Sequence, residues 1–372
     1  MSPFIPVNEP RLDGNEKAYL MRCIDDGWIS FEGPFVKEFE VKFASLLGRK
    51  HAISVTNGTA ALDVAIEALG IGPGDEVILP TLTIISCITQ IIRSGATPVL
   101  VDSDPDTWNM DVSQIEEKIT PKTKAIMAVH LYGLPVDMDP LLEIAKRHNL
   151  FVIEDAAQML GQHYKGKPCG SFGDISTFSF YPNKHITTGE GGMLVTNTEA
   201  LFETCCSLRN LCFQPQDRFV HEQLGWNLRM TNIQAALGLA QLERLDTFVS
   251  QKRAMGNRYS SLLKNLKGVT LPLEKTDYAH NIYWVFGLVL DKAHPLNAKS
   301  VMKALAKEGI GTRPFFYPMH QQPVLNRMGL FEGKHFPVAE HLARQGFYLP
   351  SGLALSTAQQ ERVSDVLLEL LS

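Results

Sequence analysis

The stretch Phe151-Val-Ile-Glu-Asp155 is a short apolar run that ends in two carboxylates, and it predicts a buried strand with an acidic carboxyl end. Helical patterns at residues 60–69 and 140–148 lie between similar runs that come before it. Those earlier runs occupy residues 51–55, 75–80, 97–102 and 125–130. Continuous apolar strands that alternate with helices are typical of a mostly parallel sheet covered on both faces. The sequence therefore predicts a large α/β domain over residues 1–250.

The pattern changes in the last third of the chain. Residues 232–263 form a long helical pattern rich in Ala, Leu, Gln, Glu and Arg. A strand at residues 283–290, a helix at residues 300–308 and an extended run at residues 311–318 follow it. This order predicts a small α+β domain over residues 251–372. We expect the N-terminal segment to pack beside it.

Composition narrows the class of protein. The chain has 372 residues, of which 45% are hydrophobic and 20% charged, as in ordinary globular proteins. Its formal net charge of −5, with no block of Lys or Arg, argues against nucleic acid as a partner. We expect neither a signal peptide nor a membrane span, because the apolar stretches are short and interrupted. The six cysteines lack zinc-site spacing, which predicts no metal and the reduced thiols of a cytoplasmic protein.

Two ionisable side chains that follow apolar strands are candidates for a functional site. Asp155 follows an apolar strand, where α/β folds place ligand-binding groups, and its carboxylate could hold a pyridine nitrogen in the protonated form. The alternative is an N-cap of a following helix. Lys184 lies between an apolar strand and a Gly-rich turn, where partial desolvation would lower its pKa and free its lone pair. The alternative is an ordinary surface lysine.

An anion site is predicted from two further parts of the sequence. Asn57-Gly58-Thr59 lies between a strand and an Ala-rich helix, whose first amides could bind a phosphate, although a plain turn would have the same sequence. Ser179 lies in an apolar strand, where its hydroxyl needs a partner such as a phosphate or a neighbouring carbonyl. A lysine, a carboxylate and an anion site are what pyridoxal 5'-phosphate (PLP) requires of a protein.

Longer motifs resemble a known family. Glu154-Asp155-Ala-Ala-Gln158, Ser179-Phe180, Asn183-Lys184 and Thr188-Gly-Glu-Gly-Gly-Met193 are similar to motifs of the DegT/DnrJ/EryC1/StrS sugar aminotransferases. The resemblance runs nearly from end to end, through His130-Leu-Tyr-Gly133 and Asn227-Leu-Arg-Met-Thr-Asn232. It implies the α/β fold of type I PLP-dependent aminotransferases, with a large domain and a smaller one.

The resemblance also implies roles for individual residues. Lys184 would be the catalytic Schiff-base lysine that moves the proton, Asp155 would pair with the pyridine nitrogen, and Gln158 would lie near the ring oxygen. Ile84 would cover the ring. The phosphate would be held by Gly58, Thr59, Ser179 and, from a partner subunit, Asn227. This implies a homodimer with shared active sites. The residues placed around the sugar nucleotide are Trp28, Ser30, His185, Arg229, Arg313, Phe316 and His320.

The chain departs from close relatives within the family in two places. Ile84 stands where they carry an aromatic residue that stacks on the ring, which removes a stacking contribution of roughly 0.5–1.5 kcal/mol. Pro182 and His185 flank Lys184 in a string that reads Phe-Gly-Asn-Lys in those relatives, and they could alter the sugar pocket. For His185 the alternative is a surface or helix-start histidine.

The implied reaction transfers an amino group from L-glutamate to a nucleotide-linked 4-keto-6-deoxy sugar. The resemblance is greatest to family members that convert GDP-4-keto-6-deoxymannose to GDP-perosamine for surface polysaccharides such as the O-antigen of lipopolysaccharide. Another keto-sugar linked to UDP or dTDP, aminated at C3 or C4, stays open. Sugar dehydratases of the family replace the lysine by histidine, so Lys184 favours transamination. A non-catalytic regulator is disfavoured because the chain has no basic arm for DNA.

Overall fold

The secondary structure alternates strands and helices over the first two hundred residues. The computed structural model describes residues 3–214 and 216–371. The α-helices of these residues are α1 (Glu16–Asp25), α2 (Pro34–Leu46), α3 (Gly58–Ala68), α4 (Ile85–Arg93), α5 (Met138–Arg147), α6 (Glu199–Arg209), α7 (Asn232–Leu242), α8 (Leu245–Leu263), α9 (Ala298–Lys307), α10 (Pro323–Arg327), α11 (Pro337–Gln345) and α12 (Thr357–Leu371). The strands are β1 (His51–Val55), β2 (Glu76–Pro80), β3 (Thr97–Val101), β4 (Thr123–Val129), β5 (Phe151–Asp155), β6 (His163–Tyr164), β7 (Lys167–Pro168), β8 (Ile175–Ser179), β9 (Gly192–Thr196), β10 (Val269–Thr270), β11 (Phe286–Leu290), β12 (Arg313–Pro314) and β13 (Gly346–Leu349).

Seven strands form the main sheet, in the order β1-β9-β8-β5-β4-β2-β3. The strands from β8 to β3 pair in parallel, whereas β9 is antiparallel to both of its neighbours. The register pairs Val129 with Asp155 and Asp155 with Thr177, so the carboxyl ends of three strands meet at one edge. The predicted mostly parallel α/β sheet is therefore confirmed.

Helices cover both faces of this sheet, and successive residues of a strand enter different cores. Val152 belongs to a core with Phe39 of α2 and Leu239 of α7. Ile153 belongs to the opposite core, with Val64 of α3 and Ile88 of α4. Strand residues buried on both faces explain why the sequence shows continuous apolar runs.

The C-terminal part carries a second sheet of four antiparallel strands, in the order β10-β11-β13-β12. Its core includes Tyr259 of α8, Phe286 of β11 and Leu367 of α12. Ile5 joins this core and forms a parallel bridge with Ile310. Helix α8 spans residue 250, so the division of the chain at that residue stays a prediction.

The long helical stretch predicted at residues 232–263 consists of two helices. Helix α7 ends at Leu242 and α8 begins at Leu245, because the two residues between them bind the N-terminal segment. Glu243 accepts hydrogen bonds from Asn15 and Tyr19, and Arg244 pairs with Asp13. Long-range polar contacts thus end one helix within a sequence that favours helix throughout.

Two extended runs are shorter than the sequence predicts. The strand expected at residues 283–290 begins only at Phe286, because Tyr283 has a φ of 50° and its N–H donates to Asn281 at 2.7 Å. In the run at residues 311–318, strand β12 is confined to Arg313–Pro314.

Across the described ranges, no helix combines the length and apolar character that a membrane crossing needs.

Candidate active site

A cavity of about 670 Å³ lies at the carboxyl ends of β5 and β8, beside the N-terminus of α3. This is the edge at which parallel α/β sheets bind ligands. The predicted site residues that line the cavity are Gly58, Thr59, Ile84, Asp155, Ser179, Lys184 and Phe316. The fold therefore brings together side chains that are up to 258 positions apart in the sequence (58 to 316).

The N-terminus of α3 forms one wall of the cavity. Asn57 caps this helix by accepting a hydrogen bond from the Ala60 amide at 2.8 Å. A Cβ atom on Gly58 would lie 2.8 Å from the Cβ of Ser179, so only glycine lets the backbone approach β8 this closely. One point in the cavity is thus surrounded by the amides of a capped helix start, by a glycine and by a serine hydroxyl. These groups suit the binding of a phosphate.

Asp155 faces the cavity from the end of β5 and is buried. Its Oδ1 accepts a hydrogen bond from the Ala157 amide at 3.0 Å, and its Oδ2 accepts one from the Cys87 thiol at 3.3 Å. A turn follows Asp155 rather than an α-helix, so it is not the N-cap that the sequence allowed as an alternative. Each carboxylate oxygen of Asp155 therefore has one hydrogen-bond donor.

Lys184 lies in the turn after β8 and is partly buried. Its Nζ lies 4.4 Å from the centre of the Trp284 ring, and the indole N–H of Trp284 donates to the Asn183 carbonyl at 2.8 Å. Burial lowers the pKa of Lys184 to about 8, although the nearby Asp155 carboxylate opposes this. The side chain is therefore a desolvated amine in a cavity and not an ordinary surface charge.

The residues around the cavity fit PLP. Lysine, carboxylate and helix N-terminus match the aldehyde, the pyridine nitrogen and the phosphate of that cofactor. The buried Oδ1 of Asn183 and the buried hydroxyl of Thr177 have no hydrogen-bond partner among the described residues. Both residues line the cavity, so a polar ligand would supply the missing partners.

Three predicted site residues are buried outside the cavity lining. Gln158 accepts a hydrogen bond from the Tyr132 amide at 2.6 Å. His320 lies between the Thr81 hydroxyl, at 2.8 Å, and Glu340. His185 is buried, and burial together with neighbouring cations holds its pKa well below the usual value. It is thus not the surface histidine that the sequence allowed, and its contact with the sugar stays a prediction.

The remaining predicted residues lie on the surface of the single chain. Trp28, Ser30, Asn227 and Arg313 are exposed, and Arg229 donates to Asn210 at 2.6 Å. None of these five lines the cavity. Their predicted roles require a second chain or a bound sugar nucleotide, and they stay predictions.

The contacts that Trp284 and Cys87 make in the site could not be predicted from the sequence. Cys87 lies only three residues after Ile84, but nothing in its own spacing indicates a bond to Asp155. Trp284 lies 101 residues from Asn183, the residue that its indole contacts. Trp284 lies within the apolar run at residues 283–290, and an aromatic residue in such a run fits an ordinary core residue equally well.

Comparison with known proteins agrees with this geometry. The model of the DegT/DnrJ/EryC1/StrS aminotransferase family matches residues 10–368. The chain is 48% identical to the GDP-perosamine synthase of Escherichia coli O157:H7, over 96% of this chain and 95% of that protein. It is 47% identical to the GDP-perosamine synthase of Caulobacter vibrioides, over 97% and 96%. It is also similar to the crystal structure of S. venezuelae DesV in complex with a ketimine intermediate, with a TM-score of 0.92, 35% identity and coverage of 100% and 99%.

The lowered pKa of Lys184 leads to a prediction about pH. A neutral amine is required to attack an aldehyde, and with a pKa of about 8 half of the Lys184 side chains are neutral at that pH. The rate at which the cofactor-free protein captures added PLP should therefore rise with pH and level off above about pH 8. Stopped-flow absorbance would measure it, with Lys184→Ala as the blank. A rate that still rises through about pH 10 would mean that the amine keeps its usual pKa.

A second prediction concerns the residue expected to cover the ring. Ile84 is 46% exposed and lines the cavity, so a larger side chain has room there. Ile84→Tyr adds aromatic stacking worth roughly 0.5–1.5 kcal/mol, or about 2- to 13-fold in dissociation constant. We expect it to tighten pyridoxamine phosphate by up to about tenfold in equilibrium dialysis.

Ile84→Leu is the matched control, because it keeps an aliphatic cover of equal volume. It should bind pyridoxamine phosphate like the parent protein. Weaker binding by Ile84→Tyr would show either that another side chain covers the ring or that the site is overpacked.

Proposed function

Because the chain belongs to the DegT/DnrJ/EryC1/StrS aminotransferase family, we propose that it transfers an amino group from L-glutamate to GDP-4-keto-6-deoxymannose and so forms GDP-perosamine. The chain is a PLP-dependent sugar aminotransferase. The proposed substrate rests on the 48% identity to a GDP-perosamine synthase, which extends over nearly the whole length of both chains. The cavity with Lys184 and Asp155 supports the reaction type.

In this proposal each group of cavity residues has a separate task. Gly58, Thr59 and Ser179 bind the phosphate and so fix the position of the cofactor. Asp155 orients the pyridine ring and stabilises its protonated nitrogen. When bound, PLP supplies an electron sink that stabilises negative charge on the carbon that carries the amino group.

Lys184 is the proton carrier of the proposed mechanism. Its amine has a pKa of about 8, so near neutral pH both its protonated and its neutral form are accessible. A group poised in this way can accept a proton at Nζ in one half of the reaction and return it in the other. Trp284 lies against Nζ on one side, and Ile84 lines the same cavity.

We also propose that the active site is shared between two copies of the chain. Asn227 is exposed and would reach the phosphate bound to the other copy. The segment before it carries large apolar side chains in solvent, with Phe219 80% and Leu224 93% exposed. Such side chains favour burial in an interface. The resemblance further supports a cytoplasmic reaction that supplies surface polysaccharide such as O-antigen.

The first test of this function is an amination assay. The purified protein, supplied with PLP and L-glutamate, should convert GDP-4-keto-6-deoxymannose to a product that carries one amino group, detected by mass spectrometry. UDP- and dTDP-linked keto-sugars serve as competitors in the same panel. Lys184→Ala should reduce turnover by at least about 10³-fold, because it removes both the nucleophile and the proton carrier. Preferred amination of a UDP- or dTDP-sugar would refute the substrate and leave the reaction type standing.

The shared site is tested by subunit complementation. Lys184→Ala and Asn227→Asp should each be nearly inactive alone. In a mixed dimer one of the two sites combines the intact Lys184 of one copy with the intact Asn227 of the other. An equal mixture should therefore regain roughly a quarter of the parent activity, since about half of the dimers are mixed. No recovery despite demonstrated subunit exchange would argue that each site belongs to one chain.

A further inference from the structure

Cys87 contacts the carboxylate of Asp155 from the side of α4. Its side chain is completely buried in the first turn of that helix. The sulfur lies 3.3 Å from Asp155 Oδ2 and 3.3 Å from the hydroxyl of Thr83. Ile84, the expected ring cover, is the N-cap residue of the same helix. The sulfur therefore links Asp155, which lines the cavity, to Thr83 just before the start of α4.

The direction of both hydrogen bonds follows from the chemistry of the groups. Burial, together with the negative charge of Asp155, raises the pKa of the Cys87 thiol well above its usual value, so the thiol keeps its proton. An ionised carboxylate can only accept, so the S–H of Cys87 donates to Asp155. Since a thiol has a single hydrogen, the hydroxyl of Thr83 must donate to the sulfur. The result is a chain of donors from Thr83 through Cys87 to Asp155, in which each bond polarises the next.

We propose that Cys87 is a positioning residue for transamination, whose thiol fixes the orientation of the Asp155 carboxylate beneath the cofactor. The inference rests on the proposed function and adds a residue to it. The Ala157 amide holds Oδ1 and the Cys87 thiol holds Oδ2, so the two donors together fix the plane of the carboxylate. With the amide alone, the carboxylate could rotate about its Cβ–Cγ bond. The thiol also links the carboxylate to α4, the helix that begins after Ile84.

The geometry supports positioning rather than chemistry by the sulfur itself. A thiol that keeps its proton is a poor nucleophile. Cys87 is a free cysteine without contact to the exterior, so it is not placed for oxidation or exchange. Among the described residues, the side chains that hydrogen-bond to its sulfur are Thr83 and Asp155.

The first experiment measures binding of pyridoxamine phosphate to three variants. Cys87→Ala removes the donor and should weaken binding by about 3- to 10-fold, the range of a single hydrogen bond. It should also lower kcat while leaving the KM for the sugar nucleotide unchanged. Cys87→Ser keeps a donor at the same place and should bind within about twofold of the parent. Cys205→Ala is the matched control, because it removes an equally buried thiol from the core beneath α6 and should alter only thermal stability.

The outcomes separate this inference from the proposed function. If the parent protein failed to bind pyridoxamine phosphate, the proposed function would fall and the role of Cys87 with it. If the parent bound and Cys87→Ala bound equally well, only the inference would be refuted. Equal weakening by Cys87→Ala and Cys87→Ser would also refute it, because packing and not hydrogen bonding would then be responsible.

A second experiment needs neither cofactor nor substrate. The S–H stretching band of Cys87 is assigned from the infrared difference between the parent protein and Cys87→Ser. A thiol that donates to a carboxylate should absorb at lower frequency than the other buried thiols. Asp155→Asn replaces the carboxylate by a neutral, weaker acceptor and should shift the band to higher frequency. A band that is unaffected by this substitution would refute the hydrogen bond on which the inference is built.

Discussion

The buried carboxylate of Glu154, one residue before Asp155, stabilises the carboxyl end of strand β5, where the site lies. Glu154 is fully buried and accepts hydrogen bonds from His130 Nε2 at 3.1 Å, the Phe172 amide at 2.9 Å and the Ser176 hydroxyl at 2.9 Å. Burial alone would raise the pKa of Glu154, but these donors outweigh it and hold the pKa below the usual value. Loss of one donor would leave part of a buried charge unpaired, at a cost of about 1–3 kcal/mol. The carboxyl end of β5 is therefore held by a hydrogen-bonded carboxylate as well as by apolar packing.

The position of Asp155 follows from that anchor and from the geometry of a strand. Successive side chains point to opposite faces, so Glu154 shares the face of Val152 while Asp155 shares the face of Ile153. A slip of one residue would place Glu154 in the cavity and leave Asp155 among the partners of Glu154. Because Glu154 is tied to strand β4 by His130 and to the loop that carries Phe172, such a slip would break several bonds at once. The buried charge thus specifies which carboxylate faces the cofactor.

Much of this arrangement could be predicted from the sequence, because it depends on local patterns. The strand at Phe151–Asp155 and the capped start of α3 came from apolar runs and turn residues within a few positions of each other. The break between α7 and α8 could not be predicted, since Arg244 is held by Asp13, which is 231 residues away. The same holds for the contact between Cys87 and Asp155, which are 68 residues apart. The roles taken from motifs, such as those of Trp28 and Asn227, depend on a second chain or a ligand, because both residues are exposed in the single chain.

The C-terminal part of the chain contributes to the reactivity of Lys184 as well as to the wall of the cavity. Lys252 of α8 is buried and donates to the backbone carbonyls of Trp284, at 2.9 Å, and of Ser351. These bonds hold the segment whose indole ring lies against Lys184. The ring attracts an ammonium group by roughly 0.5–2 kcal/mol, which would raise the pKa of Lys184, yet burial prevails and the pKa is about 8.

A carboxylate in the place of Trp284 would raise the pKa of Lys184 more than the ring does. It would favour the ammonium form by roughly 1–3 pKa units and so return the pKa of Lys184 toward that of a surface lysine. The Trp284 ring restricts the position of the Lys184 amine. A contact with a ring face is not a hydrogen bond that has to break before Nζ reacts. Trp284 is held in place by the buried Lys252. It is therefore a neighbour that fixes the position of the Lys184 amine and leaves that amine free to take up or release a proton.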